Sequence, residues 1–295
     1  MNQIAIIIPI YNAEKTIQST LASLNLISAA SAGYCHIVLV DDGSTDRSIS
    51  IAAKNMKALR PIKSTVLRQD NQGAGSARNK AIRHCRSNWI MFLDADDELA
   101  FNPLPYLNAH PDVSALAFAT KRHKAAKRIW TSFPQKISPA NHLDIFTASN
   151  PFPISALIFK KEMIDQYFDP DLLWAEDWFF WLMNPRIFSQ CECFRHQVSA
   201  VTHIHEDNKS GNISQHGRFR YMAADKALRE LNNNLTAKQR NNLLMQKDAA
   251  LIQQKLDPSP GAFRRIPCDL KLYCKLILYA SGIAGLIQPF RNKAD

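Results

Sequence analysis

The chain has 295 residues, of which 46% are hydrophobic and 21% charged, an ordinary globular balance that excludes a disordered, collagen-like or disulfide-dense protein. Lys plus Arg outnumber Asp plus Glu by 36 to 26, and the excess is local: residues 1–100 carry 11 basic and 9 acidic side chains, residues 101–210 carry 11 of each, and residues 211–295 carry 14 and 6. Cys35, Cys85, Cys191, Cys193, Cys268 and Cys274 show no CxxC pair or metal-ligand spacing, which points to a reducing, cytoplasmic setting rather than to a zinc site or a disulfide framework. The opening MNQIAIIIPIYNAEKT has no basic leader and its apolar run breaks at Pro9, so it reads as neither a signal peptide nor a membrane span.

Short apolar runs alternate with helix-period segments over the first hundred residues, the pattern of an α/β protein with a mostly parallel sheet. Ile4 to Ile10 does not alternate and reads as a strand buried on both faces. Asn12 is positioned to cap a helix reaching Ile27, with Ile17, Leu21 and Leu24 at helical spacing. Ile37 to Val40 is a second buried strand, Asp46 caps a helix to Leu59, and Thr65 to Leu67 is a third strand. A helix over Ser76 to Cys85 and a strand over Trp89 to Leu93 follow. Beyond these, Ala115 to Thr120 and Ile154 to Phe159 read as strands, Ser138-Pro139 as a helix start, and Trp174 to Arg186 as an aromatic-rich helix. After Gly217 the chain is helical and polar, and Thr236 with Gln239 forms a capping-box pattern. Asp257-Pro258-Ser259-Pro260-Gly261 is the best linker candidate.

Every polar cluster of the first hundred residues falls at the carboxyl end of a strand, where an open parallel sheet holds its ligand. Pro9-Ile10-Tyr11-Asn12-Ala13-Glu14 presents a ring and an amide beside a helix start, which suits stacking on a base; alone it is no more than a strand-to-helix turn. Asp41-Asp42-Gly43 offers two carboxylates before a tight turn, and capping by Asp46 does not need both. Asn71-Gln72-Gly73-Ala74-Gly75-Ser76-Ala77-Arg78-Asn79 is a Gly-rich loop opening a helix, which offers N–H groups and a positive dipole end to an anion, although its spacing is neither that of a dinucleotide fingerprint nor that of a P-loop. Asp94-Ala95-Asp96-Asp97 ends a buried strand in three carboxylates, hard oxygen ligands suited to Mn2+ or Mg2+ bridging to phosphate. Glu176-Asp177 stands ahead of Trp178-Phe179-Phe180-Trp181, either as first-turn acids favouring a helix dipole or as a general base raised by apolar surroundings. His203 and His205 alternate on one strand face, and one of them could reach a metal.

Taken in order, these motifs resemble the family 2 glycosyltransferases, which have a GT-A nucleotide-sugar-binding domain; the likeness spans roughly residues 3–210. The resemblance implies an inverting enzyme whose donor site is lined by Pro9, Tyr11, Asn12, Glu14, Asp41, Asp42, Asn71, Gly73, Arg78, Asp94 and Asp96. In it Tyr11 and one of Asp41 or Asp42 hold the base, usually uracil, and Arg78 approaches the diphosphate. Asp94 approaches the ribose or metal, Asp96 binds Mn2+ or Mg2+, and Asp177 deprotonates the acceptor hydroxyl. A metal-side histidine at His205 is seen in some relatives, with His203 competing for the role. The implied partners are a nucleotide-sugar donor and a glycan or lipid-linked acceptor, as in bacterial surface polysaccharide synthesis. The implied organisation is a catalytic domain over residues 1–212, with the nucleotide part in 1–100 and the acceptor part in 101–212, a helical extension over 213–256, and a basic, apolar segment over 257–295.

Two other functions compete. A metal-dependent nucleotidyltransferase would place its basic phosphate loop after the first strand, where Tyr11-Asn12 stands instead. A nucleic-acid-binding protein fits the net charge of +10, but the acidic strand ends would repel a phosphate backbone and the basic excess lies elsewhere, so nucleic acid is not an expected partner. In residues 261–295 six basic side chains surround Leu270, Leu272, Tyr273, Leu276, Ile277, Leu278 and Tyr279, the composition of a helix lying on the inner face of an anionic membrane or, equally, of one packed on protein or across a homodimer.

Overall fold

A computed structural model describes residues 3–124, 128–204 and 213–255. The chain divides into two compact units, Met1–His142 with Pro151–Asn208, and Leu143–Asn150 with Lys209–Asp295.

The first unit is built on a nine-stranded sheet of order β3-β2-β1-β4-β8-β6-β9-β5, with β7 paired to β6. Its first half is parallel: β1 (Ile4–Ile10), β2 (Cys35–Asp41), β3 (Lys63–Arg68) and β4 (Trp89–Phe92) are joined by α1 (Ile17–Ser23), α2 (Ser48–Ala58) and α3 (Gly73–His84). Every residue of β1, β2 and β4 is buried, which is why their sequences run apolar without alternation, whereas the outermost strand β3 has exposed positions. The second half is mixed. After β5 (Asp97–Leu99) and α4 (Leu104–Ala109), β6 (Ala115–Lys124) and β7 (Arg128–Ser132) form an antiparallel pair. Beyond α5 (His142–Ala148), β8 (Leu157–Lys160) runs antiparallel to both β4 and β6. Past α6 (Glu176–Met183), β9 (Cys191–Ile204) lies parallel to β6 through two register shifts, and its far end pairs with β5. The α/β class and sheet-centred architecture are those expected; the three-residue strand β5, the hairpin strand β7 and all of β9 ahead of His203 are additions to it.

Four helix starts differ from the expected ones: α3 begins at Gly73 rather than Ser76, and three others shift as follows. Asn12 does not cap α1: it has a left-handed φ of 48° and the helix begins at Ile17. Here the neighbouring loop wins over local propensity, because the Asn12, Ala13 and Glu14 N–H groups donate to Ser44 Oγ, Ser48 Oγ and an Asp46 oxygen at 3.2, 2.7 and 3.0 Å. Residues 138–141 form a turn rather than the first turn of α5, with the Asn141 and His142 N–H groups both donating to the Ser138 carbonyl. Trp174 and Ala175 precede α6 instead of opening it, since Ala175 is itself left-handed at φ 58°, and the helix stops at Asn184-Pro185.

The second unit holds the helices α7 (Ile213–Glu230) and α8 (Ala237–Lys255). The capping box is present, with Gln239 Oε1 accepting from the Thr236 N–H at 2.9 Å and Thr236 Oγ1 accepting from the Gln239 N–H at 3.3 Å. Arg220 donates to Gln246 Oε1 at 2.7 Å and Lys247 to Asp225 at 2.6 Å, tying the two helices together. Among the described residues no helix is long and apolar enough to cross a membrane. The basic segment 257–295 and His205 lie outside the described residues.

Candidate active site

The carboxyl ends of β1, β2 and β4 open onto one edge of the sheet, and the N-termini of α3 and α6 come to the same edge. At the end of β2 the two aspartates do different work. Asp42, 3% exposed, accepts from the Gln72 N–H and Gln69 Nε2 at 2.9 Å through one oxygen and from the Gly73 N–H at 2.8 Å through the other. It therefore shapes the Gly-rich loop and occupies its first donors. Asp41 accepts from the Ser44 N–H at 2.9 Å with Oδ1, while its Oδ2 has a longer ion pair of 3.8 Å with Arg68.

At the end of β1, Pro9 is buried opposite Val40 within the ladder, and Tyr11 stands 43% exposed at the edge. Asn12 and Glu14 face the scaffold: Asn12 Oδ1 accepts from the Thr45 N–H at 2.9 Å, and Glu14 Oε2 accepts from Arg47 Nε at 3.1 Å. Asn71 is exposed beside Gly43, whose φ of 79° shapes the turn and where an added Cβ would come within 3.0 Å of the Asn71 nitrogen. Gly73 is constrained twice, by a φ of 88° and by Leu173, whose Cδ2 would lie 2.7 Å from an added Cβ.

Arg78 lies at the centre. It is 3% exposed and flanked by the rings of Phe92 and Phe168 at 5.7 and 5.4 Å. Its Nη2 donates to Asp94 Oδ1 at 2.7 Å and its Nη1 to Glu176 Oε1 at 3.0 Å. Burial opposes the charge, but the two carboxylates more than offset it and hold the guanidinium's pKa above its ordinary value. Both of these contacts go to protein carboxylates. Asn79, the next residue, exchanges hydrogen bonds with the Phe168 backbone at 2.8 and 2.9 Å and so anchors the segment leading to α6.

The left-handed Ala175 aims α6 so that its first residue, Glu176, meets Arg78, with Asp177 next in the same turn. Asp177 Oδ1 accepts from the Trp178 N–H at 2.7 Å. Burial first, then the like charge of Glu176, pushes the Asp177 carboxyl up to about 6, which leaves it largely ionised at neutral pH and able to take a proton. Next to Asp94, burial and the charges of Asp94 and Asp96 push the buried Asp97 well above the usual carboxylate range, and Ser155 Oγ donates to Asp97 at 3.3 Å. His203 pairs with Glu98 at 3.3 Å.

Among the described residues no group of three or more His, Cys, Asp or Glu side chains is arranged to hold a metal. Asp94 and Asp96 nevertheless fit the chemistry of a hard divalent cation, because such ions are commonly held by one or two carboxylates and complete their shell with substrate phosphate and water. The amino-acid sequence by itself gives Glu176 no arginine partner: it pairs with Arg78, 98 residues away, and no local pattern announces such a contact.

Residues 5–137 match the glycosyl transferase family 2. An uncharacterized glycosyltransferase of Haemophilus influenzae is 30% identical over 220 residues, covering 72% of this chain and 83% of that protein. The chain belongs to glycosyltransferase family 2. It is a glycosyltransferase enzyme. The poly(ribitol-phosphate) beta-N-acetylglucosaminyltransferase TarS of Staphylococcus aureus is 27% identical over 194 residues, 61% of this chain but only 32% of TarS. The crystal structure of TarS 1-349 in complex with UDP-GlcNAc shares the fold, with a TM-score of 0.64 at 20% identity over 94% of this chain and 79% of that one. So does the mannosyltransferase PcManGT of Pyrobaculum calidifontis in complex with GDP-Man and Mn2+, with a TM-score of 0.58 at 18% identity over 99% of this chain and 88% of that one.

The Gly73–Leu173 contact allows two costs to be separated. Gly73→Ala is expected to destabilise the enzyme by about 1–2 kcal/mol, the penalty of a left-handed backbone on an L-residue. Because the end of a leucine side chain moves cheaply, adding Leu173→Ala should recover only a small part of that loss. Urea unfolding of the single and double variants checks this, and full recovery would mean that the clash with Leu173, not the backbone conformation, causes the destabilisation.

Proposed function

We propose that this glycosyltransferase moves a sugar from a uridine-diphosphate sugar to a hydroxyl of a glycan or lipid-linked acceptor, in one displacement with inversion at the anomeric carbon. The observation that carries the reading is the chain of ion pairs Asp94–Arg78–Glu176, which ties the carboxylate edge at the end of β4 to the residue beside Asp177.

In this reading the ring of Tyr11 stacks on the base, and Asp41, whose Oδ2 is the less committed of the paired carboxylate oxygens, accepts a base N–H. The diphosphate lies against the Gly-rich loop at the N-terminus of α3. Asp94 and Asp96 would hold Mn2+ or Mg2+, an ion that, when bound, neutralises the charge growing on the leaving diphosphate. Arg78, already neutralised by two carboxylates, acts as a positioning residue for Asp94 and Glu176. Asp177 takes the proton of the incoming hydroxyl, and the resulting oxygen forms its bond to the anomeric carbon on the face opposite the departing diphosphate. The name of TarS, a poly(ribitol-phosphate) glycosyltransferase, makes a polyol hydroxyl of a phosphate polymer the first acceptor to try and UDP-GlcNAc the first donor.

A screen of UDP-sugars with and without such acceptors tests the reading: release of UDP supports it, and release of pyrophosphate would instead indicate a nucleotidyltransferase. Asp177→Asn is expected to lower turnover about 10²–10⁴-fold with donor affinity nearly unchanged, measured by UDP release and calorimetry. Equal loss of affinity would reassign Asp177 to binding. Asp96→Ala is expected to remove the activity that EDTA removes from the wild-type enzyme, and EDTA-resistant turnover at the wild-type rate would take the metal out of the mechanism. We further propose, from composition, that residues 261–295 rest on an anionic membrane surface. Co-flotation of the full chain with anionic but not neutral vesicles is the expected result; no flotation at low salt, together with dimers that truncation abolishes, would favour a protein interface.

A further inference from the structure

The acidic turn from Asp94 to Asp97 is tied to α1 by two hydroxyl groups. Thr20 and Ser23 stand three residues apart on that helix and so share one face. Thr20 is fully buried, and its Oγ1 has two backbone acceptors in reach: the Thr16 carbonyl of its own helix at 3.5 Å and the Ala95 carbonyl at 2.9 Å. A buried helical threonine ordinarily returns its proton to the carbonyl four residues back; here the shorter contact sends it to Ala95. Ser23 Oγ accepts from the Leu99 N–H at 2.9 Å and donates to the Thr20 carbonyl at 2.6 Å, which fixes the end of β5.

The bond from Thr20 falls on the peptide between two of the carboxylates at the sheet edge. Ala95 stands between Asp94 and Asp96, and its carbonyl belongs to the peptide unit that ends at the Asp96 nitrogen. On the other side of Asp96, the Asp97 N–H donates to the Asp94 carbonyl at 3.0 Å. Both peptide planes flanking Asp96 are therefore fixed, the first by a residue of α1 and the second within the turn. The Asp94 side chain is held separately, by Arg78 at 2.7 Å. Ala95 is only 8% exposed, so without Thr20 Oγ1 its carbonyl loses a partner where little water reaches, and the peptide is left to rotate toward another.

We propose that Thr20 is a positioning residue for the cation-holding carboxylates: through the Ala95 carbonyl it fixes the backbone of Asp96 relative to Asp94, so that the two can share one divalent ion with the donor's diphosphate. The inference rests on the proposed role of Asp94 and Asp96 in holding Mn2+ or Mg2+. Groups that share an ion must be placed to within about 0.5 Å, a tighter demand than folding makes. The fold has other supports at this place, since β4 pairs with β1 and β8, and β5 with β9. The role of Thr20 is thus separable from stability.

Calorimetric titration of Mn2+ into the full-length enzyme in excess UDP tests the proposal. Thr20→Val, which keeps the shape and loses the donor, is expected to weaken Mn2+ binding about tenfold, the effect usual for a residue one step removed from a metal ligand. Thr20→Ala, which cannot overpack, should match it, and Thr20→Ser, which keeps the hydroxyl, should stay within about twofold of wild type. UDP affinity measured in EDTA should be the same in all of these proteins, as a general loosening of the site would not allow. Ser23→Ala removes hydrogen bonds from the same helix but none beside Asp96, and is expected to lower the melting temperature while leaving Mn2+ affinity near that of wild type. Weakening by Ser23→Ala equal to that by Thr20→Val would overturn the proposal, and so would wild-type Mn2+ affinity in Thr20→Val and Thr20→Ala. A wild-type UDP complex that takes up neither Mn2+ nor Mg2+ would instead withdraw the metal from the reading of this edge, and the role of Thr20 with it.

Discussion

One buried guanidinium organises the sheet edge proposed as the active site. Arg78 has almost no contact with solvent, and its charge is tolerable there only because Asp94 and Glu176 meet it at 2.7 and 3.0 Å. Removing Glu176, whose side chain is 12% exposed, would leave that charge buried and under-compensated, a loss of up to about 3–5 kcal/mol for a buried pair, and removing Asp94, 37% exposed, would cost less because solvent already screens it. That cost fixes three elements at once: α3, which carries Arg78; the end of β4, which carries Asp94; and the start of α6, which carries Glu176 and Asp177. The aromatic bed of Phe92, Phe168 and Phe180, the last two stacked at 4.1 Å, excludes water from beneath the pair. Low local dielectric then acts on Asp177 as well, raising its pKa into a range suited to a base.

A second group of polar residues builds the frame in which Tyr11 and Asp41 are presented. Asp42 spends both carboxylate oxygens on the Gly-rich loop, and Asn12 and Glu14 tie the end of β1 to the loop after β2. The motif residues thus divide into those that hold backbone and those whose polar atoms or rings remain at the edge. Two non-glycine residues in left-handed conformation, Asn12 and Ala175, stand just past the end of β1 and just ahead of α6. Such strain persists only where surrounding contacts over-determine the backbone, as the hydrogen bonds of Asn12 do.

Much of the fold is legible in the amino-acid sequence because its central strands are buried on both faces and so spell themselves as unbroken apolar runs, as in Ile4–Ile10 and Trp89–Phe92. The Thr236–Gln239 capping box is legible for a local reason, since both partners sit within one turn. The helix start expected at Asn12 fails because side chains of the loop after β2 capture the Asn12, Ala13 and Glu14 N–H groups; at Ser138 the capping bonds do form, with Asn141 Oδ1 accepting from the Ser138 N–H at 2.8 Å and the Ser138 carbonyl accepting from the His142 N–H at 2.9 Å, and regular helix follows from His142. The strand Asp97–Leu99 is too short to show a period and exists because β9 pairs with it. The carboxylates of the edge can be found by their position after apolar strands, but the Arg78–Glu176 contact cannot, because it joins residues 98 apart whose neighbours in sequence carry no mark of it.

The proposed mechanism depends on Glu176 coupling the arginine to Asp177 as the proposed base, and the pH dependence of kcat/KM tests that coupling most directly. In the proposed mechanism Asp177 acts ionised, so the rate should rise with pH through a limb near 6 and level off above it. In Glu176→Gln the like charge that helps raise Asp177 is gone and Arg78 is less neutralised, and both changes favour the carboxylate, so the limb should move to lower pH. A limb that stays in place or moves to higher pH in that variant, with the fold intact, would contradict the coupling.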